Sequence, residues 1–123
     1  LLAQLPQPLA REAVIDAFDR HEQAAIEALP GARYTDVLLD THQRLANAWH
    51  LSASSSDAEL FASSVDHWPA YADAAGALQY LMRYVSVALL SNADGPTLET
   101  ISRRLEVRFD VMLSAMEAGG VQP

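Results

Sequence analysis

Apolar residues recur three and four positions apart through the first half of the chain, a period that predicts amphipathic helices. We expect a first helix over residues 9–29 and a second over residues 34–50. The dipeptide Pro30-Gly31 interrupts the period between them and leaves only a short connection. Because short connections join neighbouring helices, the pattern predicts that these two helices pack antiparallel.

A third, short helix is expected over residues 57–66, where Ser56-Asp57-Ala58-Glu59 fits a capping box. Proline disfavours helical geometry in the residue before it, so Trp68 marks the end of this helical region. We therefore expect two subdomains: an all-helical one over residues 1–68 and a second one over residues 69–123.

The pattern changes in the second half, where residues 85–90 form a nearly continuous apolar run. Such a run predicts a strand, over residues 84–90, that is buried on both faces of a parallel sheet. Helices are expected before it, over 71–82, and after it, over 96–105, with a second parallel strand over 109–113. The order helix, strand, helix, strand indicates the α/β fold class.

Two polar residues follow the apolar run and are the main candidates for chemistry. In an open α/β sheet, ligands bind beyond the carboxyl ends of the strands, and Ser91 and Asn92 lie at such an end. A serine hydroxyl and an asparagine amide can both donate hydrogen bonds to an anion. The alternative, that they only form a turn before a helix capped by Asp94, stays open.

Composition narrows the choice of partners. The chain has 123 residues and a formal charge of -8, from 16 acidic and 8 basic side chains. That balance disfavours nucleic acid and anionic membranes as partners, since both need a basic surface. Without cysteine, disulfides and thiolate chemistry are excluded, and no apolar run reaches the ~20 residues of a membrane span. The start of the chain lacks a basic segment typical of signal peptides, so we expect a soluble cytoplasmic protein.

Metal binding is not expected from the histidines. The chain has four of them, at positions 21, 42, 50 and 67. No two are four residues apart, which is the spacing that brings two histidine ligands onto one helix face.

Four segments in order resemble the haloacid dehalogenase-like (HAD) superfamily of hydrolases, most closely the type II 2-haloacid dehalogenases. Residues 68–73 (Trp-Pro-Ala-Tyr-Ala-Asp) are similar to the entry from a helical cap into the Rossmann-like core. Residues 89–92 (Leu-Leu-Ser-Asn) resemble the second motif. Residues 105–110 (Leu-Glu-Val-Arg-Phe-Asp) and 117–123 (Glu-Ala-Gly-Gly-Val-Gln-Pro) resemble a conserved core segment and the third motif.

The resemblance implies a partial α/β core with an N-terminal helical cap, and hydrolysis through an aspartyl ester. It implies that Ser91 and Asn92 bind a small anionic substrate. Arg20 is the nearest match to the halide-binding arginine, and Gln122 stands where the family has lysine. No Asp-x-Asp or Asp-x-x-Gly-Thr segment occurs, so the nucleophile is expected outside these residues.

Three functions remain open at this point. The first is a 2-haloacid dehalogenase, which needs no cofactor. The second is a phosphatase of the same superfamily, which would use Mg²⁺. The third is an inactive binding or assembly module, for which an exposed apolar cap surface could form a homodimer.

Overall fold

A computed structural model of the protein describes residues 1–114 and Glu117. The chain forms two compact units, Leu1–Ser63 and Ser64–Pro123. The described part of the first unit is helical, whereas that of the second mixes helices with a two-stranded parallel sheet. This mixed content is compatible with a partial α/β fold. Within residues 1–114 and Glu117, no helix combines the length and the apolar character that crossing a bilayer requires.

The helical unit confirms the predicted run of helices. A short 3-10 turn at its start, Leu2–Gln4, precedes α1 (Arg11–Ala28), α2 (Tyr34–Ala48) and α3 (Ser55–Ser63). The connection after α1 turns at Gly31, whose φ of 77° lies in the left-handed region that glycine tolerates without steric cost. α2 packs against both α1 and α3 and is therefore the central helix of this unit.

The core of the helical unit lies along one face of α2. Val37, Leu38 and Leu45 are almost fully buried there, as the apolar stripe predicted. Thr41 is buried on the same face, and its hydroxyl donates to the carbonyl of Val37 at 2.8 Å. That bond satisfies the hydroxyl, so a polar residue is accommodated in the core.

The start of α3 differs from the expected capping box. The hydroxyl oxygen of Ser54 accepts a hydrogen bond from the backbone N–H of Asp57 at 3.1 Å. Its carbonyl accepts the first helical bond, from Ala58. Ser54, not Ser56, therefore acts as the N-cap, because in a run of three serines the first can cap while the next two enter the helix.

The second unit has five elements in chain order. They are a 3-10 turn (Ser64–His67), α4 (Ala74–Leu81), β1 (Ala88–Ser91), α5 (Gly95–Arg104) and β2 (Val111–Ser114). β1 and β2 pair in parallel, and their register runs from Ala88 opposite Val111 to Ser91 opposite Ser114. Parallel neighbours need a crossover, which α5 supplies as it packs against β2.

The first strand begins later than the apolar run predicts. The N–H of Val85 donates to the carbonyl of Leu81 at 3.1 Å, so Val85 belongs to the turn that ends α4. Pairing starts at Val87, whose N–H donates to the carboxylate of Asp110 at 2.8 Å and whose carbonyl accepts the Asp110 N–H. The run is apolar from Val85 onward, but strand geometry begins only where a partner strand is present.

The expectation that this strand is buried on both faces is wrong. Paired residues of parallel strands share a face, and Leu89 and Met112 lie on the partly covered one. Leu90, Val111 and Leu113 lie on the other face and are 46%, 47% and 41% exposed. Among the described residues, the apolar sequence is that of a central strand, but the sheet has only two strands and one well-covered face.

Candidate functional site

The candidate site is the loop that joins the carboxyl end of β1 to the start of α5. Ser91 is the last residue of β1, and Asn92 and Ala93 form the turn that follows. Asp94 is the N-cap of α5, and Pro96 lies in the first helical turn, where its missing N–H is not needed. Each of these residue types suits its position, so the local sequence explains the strand-to-helix turn.

The hydroxyl of Ser91 is held by its own loop. Its oxygen accepts a hydrogen bond from the backbone N–H of Ala93 at 3.2 Å. That bond uses a lone pair of the oxygen, so the O–H hydrogen can still donate to an acceptor. Ser91 and Asn92 are both partly exposed, so the turn that holds them is accessible.

The start of α5 is fixed by Asp94, as the sequence predicted. The carboxylate of Asp94 accepts a hydrogen bond from the N–H of Thr97 at 3.0 Å. The hydroxyl of Thr97 in turn donates to the carboxylate of Asp66 at 3.1 Å, and Arg104 donates to the carbonyl of Asp66 at 2.8 Å. Both ends of α5 are therefore tied to the 3-10 turn Ser64–His67, which steadies the loop that carries Ser91.

A second serine at the same sheet edge was missed by the sequence analysis. Ser114 ends β2 directly opposite Ser91 and is almost fully buried. Its N–H and its hydroxyl both donate to one carboxylate oxygen of Glu117, at 2.8 and 2.7 Å. The signal was present, because Met112-Leu113-Ser114 repeats the pattern of two apolar residues and a serine in Leu89-Leu90-Ser91.

The hydrogen bonds at Glu117 have an electrostatic consequence. Donation from the backbone N–H of Ser114, and next from its hydroxyl, holds the pKa of the Glu117 carboxyl below its usual range. The carboxylate of Asp94 also accepts an N–H donor, from Thr97. The two acidic groups near the edge are therefore each paired with donors, which moderates the repulsion that they exert on an anionic ligand.

The other predicted site residues lie elsewhere or outside the described residues. Arg20 is on the exposed side of α1, where its Nε donates to the carbonyl of Asp16 at 3.1 Å. It belongs to the helical unit, whereas Ser91 and Asn92 belong to the α/β unit. Gln122, at the position that resembles the family lysine, lies outside the described residues.

A buried polar pair in the helical unit was not anticipated. The hydroxyl of Tyr34, at the start of α2, donates to the carboxylate of Glu22 on α1. Burial, and next the bond to Glu22, raise the pKa of Tyr34 well above its usual value. Tyr34 therefore stays protonated and acts as a fixed hydrogen-bond donor that ties α1 to α2.

Metal ligands do not cluster in the part of the chain that the structure describes. No three histidine or acidic side chains there are close enough to hold a metal ion together. The comparison with known sequences is equally spare. The sequence matches no protein-family model and no curated protein.

Proposed function

We propose that the chain is part of a HAD-like hydrolase of the 2-haloacid dehalogenase type. In this proposal the helical unit is the cap and the α/β unit is part of the core. The observation that carries the proposal is the loop after β1, where a parallel strand ends in Ser91 and a capped helix follows three residues later. This is the position at which open α/β sheets bind their ligands.

Ser91 is assigned the role of binding the substrate carboxylate. Its hydroxyl oxygen is held by the Ala93 N–H, and its O–H hydrogen is directed away from that bond. The amide of Asn92 and the N-terminal end of α5 add further donors on the same turn. Because the chain carries a net charge of -8, binding of a small anion depends on such local donors.

The chemical step assigned to this enzyme follows the resemblance. An aspartate outside these residues attacks the carbon that bears the halogen and displaces halide, and water then cleaves the resulting ester. Arg20 is the candidate for binding the released halide. The cytoplasmic location expected from the sequence remains part of the proposal.

The test is halide release by the natural polypeptide that carries this chain, with 2-chloropropionate as substrate and no added metal. We expect Ser91→Ala to lower kcat/KM by about 10- to 100-fold, the effect of losing one hydrogen bond to a charged group. Ser86→Ala is the matched control, since Ser86 is exposed and precedes the other end of the same strand. Equal kcat/KM for Ser91→Ala and the wild type would overturn the role of Ser91.

Two further measurements separate the alternatives. Phosphate release from 4-nitrophenyl phosphate that requires Mg²⁺, without any halide release, would replace the dehalogenase with a phosphatase. Release of neither product would overturn the hydrolase and leave the non-catalytic module.

A further inference from the structure

The helical unit contains a cavity of about 650 Å³ that the proposed hydrolase does not use. Its wall is formed by the first 3-10 turn and by α1, α2 and α3. Most of the wall is apolar, and aromatic rings from three helices or their ends contribute to it: Phe18, Trp49 and Phe61. A volume of this size lies within the range of ~300–1,000 Å³ that is typical of sites for small organic molecules.

One buried polar side chain in this wall lacks a partner. His42 on α2 is only 3% exposed, and its Nδ1 receives no hydrogen bond from any residue that the structure describes. Its ring instead leans against Phe61, with ring centroids 5.5 Å apart. Buried polar atoms in folded proteins almost always have a hydrogen-bond partner, so this imidazole lacks one that a ligand could supply.

The cavity wall also limits the charge of a ligand. Asp57, at the start of α3, contributes to the same wall as His42. Its carboxylate disfavours an anion such as a fatty acid in an already acidic chain. A hydroxyl group is neutral and can either donate to an unprotonated ring nitrogen or accept from a protonated one. It therefore suits the imidazole in either tautomer.

We infer that this cavity binds a small neutral phenol, whose hydroxyl pairs with the imidazole of His42 and whose ring lies against Phe18 and Phe61. The aromatic wall favours an aromatic ring over an alkyl chain, since Phe18 and Phe61 already meet edge to face at 6.2 Å. The inference rests on residues of the helical unit alone and stands whether or not the protein is a hydrolase.

The test compares three probes on the natural polypeptide by calorimetry or NMR titration: 4-ethylphenol, ethylbenzene and 4-ethylbenzoate. We expect 4-ethylphenol to bind at one site, about tenfold more tightly than ethylbenzene, which has the same ring but no hydroxyl. We expect 4-ethylbenzoate to bind more weakly than 4-ethylphenol, and Asp57→Asn to reduce that difference. Failure of 4-ethylphenol to saturate one site below about 1 mM would overturn the inference.

Substitution of the histidine makes the test specific. In His42→Leu the preference for 4-ethylphenol over ethylbenzene is expected to fall to about 1, whereas His21→Leu, outside the cavity wall, keeps it. A tenfold preference that persists in His42→Leu would overturn the role of His42.

If His42→Leu does not fold, as judged by circular dichroism, the wild type still decides. Saturation with 4-ethylphenol is expected to move the imidazole ¹⁵N resonances of His42, and saturation with ethylbenzene is not. Identical spectra with the two probes would overturn the inference.

Discussion

The two units treat their apolar residues differently. In the helical unit, Leu38 is fully buried and Leu45 nearly so, on a helix that contacts two neighbours. In the α/β unit, Leu90, Val111 and Leu113 lie on the same sheet face and remain almost half exposed. Both sequences are rich in apolar residues, so the difference lies in what surrounds each element.

The difference teaches how much each kind of element needs from its neighbours. An amphipathic helix buries one stripe, and one packed helix can cover most of it. A parallel strand needs partners on both edges and cover on both faces. An apolar run therefore predicts that a strand forms more reliably than it predicts that the strand is buried.

The largest predicted effect is a contrast in core truncation. Leu38→Ala removes a fully buried side chain and is expected to cost about 3 kcal/mol of the free energy of unfolding of the helical unit. Leu90→Ala removes a side chain that is 46% exposed and is expected to cost less than about 1 kcal/mol in the α/β unit.

The two tryptophans allow each unit to be followed by itself in urea. Trp49 lies in the helical unit and Trp68 in the α/β unit, so Trp68→Phe and Trp49→Phe backgrounds report one unit each. Similar losses for Leu38→Ala and Leu90→Ala would show that the exposed sheet face is covered in solution, and would remove the contrast between the units.

The next effect concerns how helices begin. α1 and α2 start without a side-chain cap and depend on packing, whereas α5 starts at Asp94, which bonds the Thr97 N–H. Asp94→Ala is expected to destabilise the α/β unit by about 1 kcal/mol, and Asp94→Asn by much less because asparagine also caps. The measurement is urea unfolding monitored by Trp68 fluorescence.

Asp73 provides the matched control for this prediction. It occupies the N-cap position of α4 but makes no side-chain capping bond, so Asp73→Ala is expected to change stability little. An equal loss in Asp73→Ala and Asp94→Ala would mean that acidic charge, not the capping bond, stabilises these helix starts.

A smaller effect is a pH dependence specific to the helical unit. Burial lowers the pKa of His42, the Leu1 amine lowers it further, and Asp57 opposes them. In the unfolded chain the pKa of a histidine is about 6.5, so the unfolded state takes up the proton first as the pH falls. Stability from this group is present above about pH 6.5 and is lost below it, as the pH falls toward the lowered pKa of the folded state.

His42→Leu should therefore flatten the pH dependence of unfolding on the acid side of pH 6.5. The unfolding of the helical unit, followed by Trp49 fluorescence at a series of pH values, measures this. His21→Leu, a partly exposed position on α1, controls for the general loss of a histidine. An unchanged acid slope in His42→Leu would contradict the lowered pKa of His42.

Local signals explain what the sequence predicted correctly. The helical stripe of α2, the break at Pro30-Gly31 and the cap at Asp94 depend on residues close in the chain, and all three are confirmed. The parallel pairing of two short strands is also confirmed. The start of β1 was wrong because Val85 had two local options, and the turn after α4 took it.

The candidate site was only partly predictable, because burial depends on distant residues. The sequence identified Ser91 but missed Ser114, although the two end their strands in the same pattern. His42 lies four residues after Leu38 and three before Leu45, so the apolar stripe passes through it. A sequence places a histidine on such a stripe, but only the packing of Phe61 and the cavity beside it show that its ring lacks a partner.

The smallest effect tests whether the edge of the sheet is ordered by the second serine. Ser114 donates to the Glu117 carboxylate through its N–H and its hydroxyl, and Ser114→Ala removes only the hydroxyl bond. The pKa of Glu117 should then rise part of the way toward its usual value, because the backbone bond remains. Titration of the Glu117 carboxyl ¹³C resonance measures the change. Ser91→Ala removes the hydroxyl opposite and should leave that pKa unchanged. If Ser91→Ala also moves it, the two strand ends share one hydrogen-bond network, and the α/β unit is more tightly coupled at this edge than its exposed apolar face indicates.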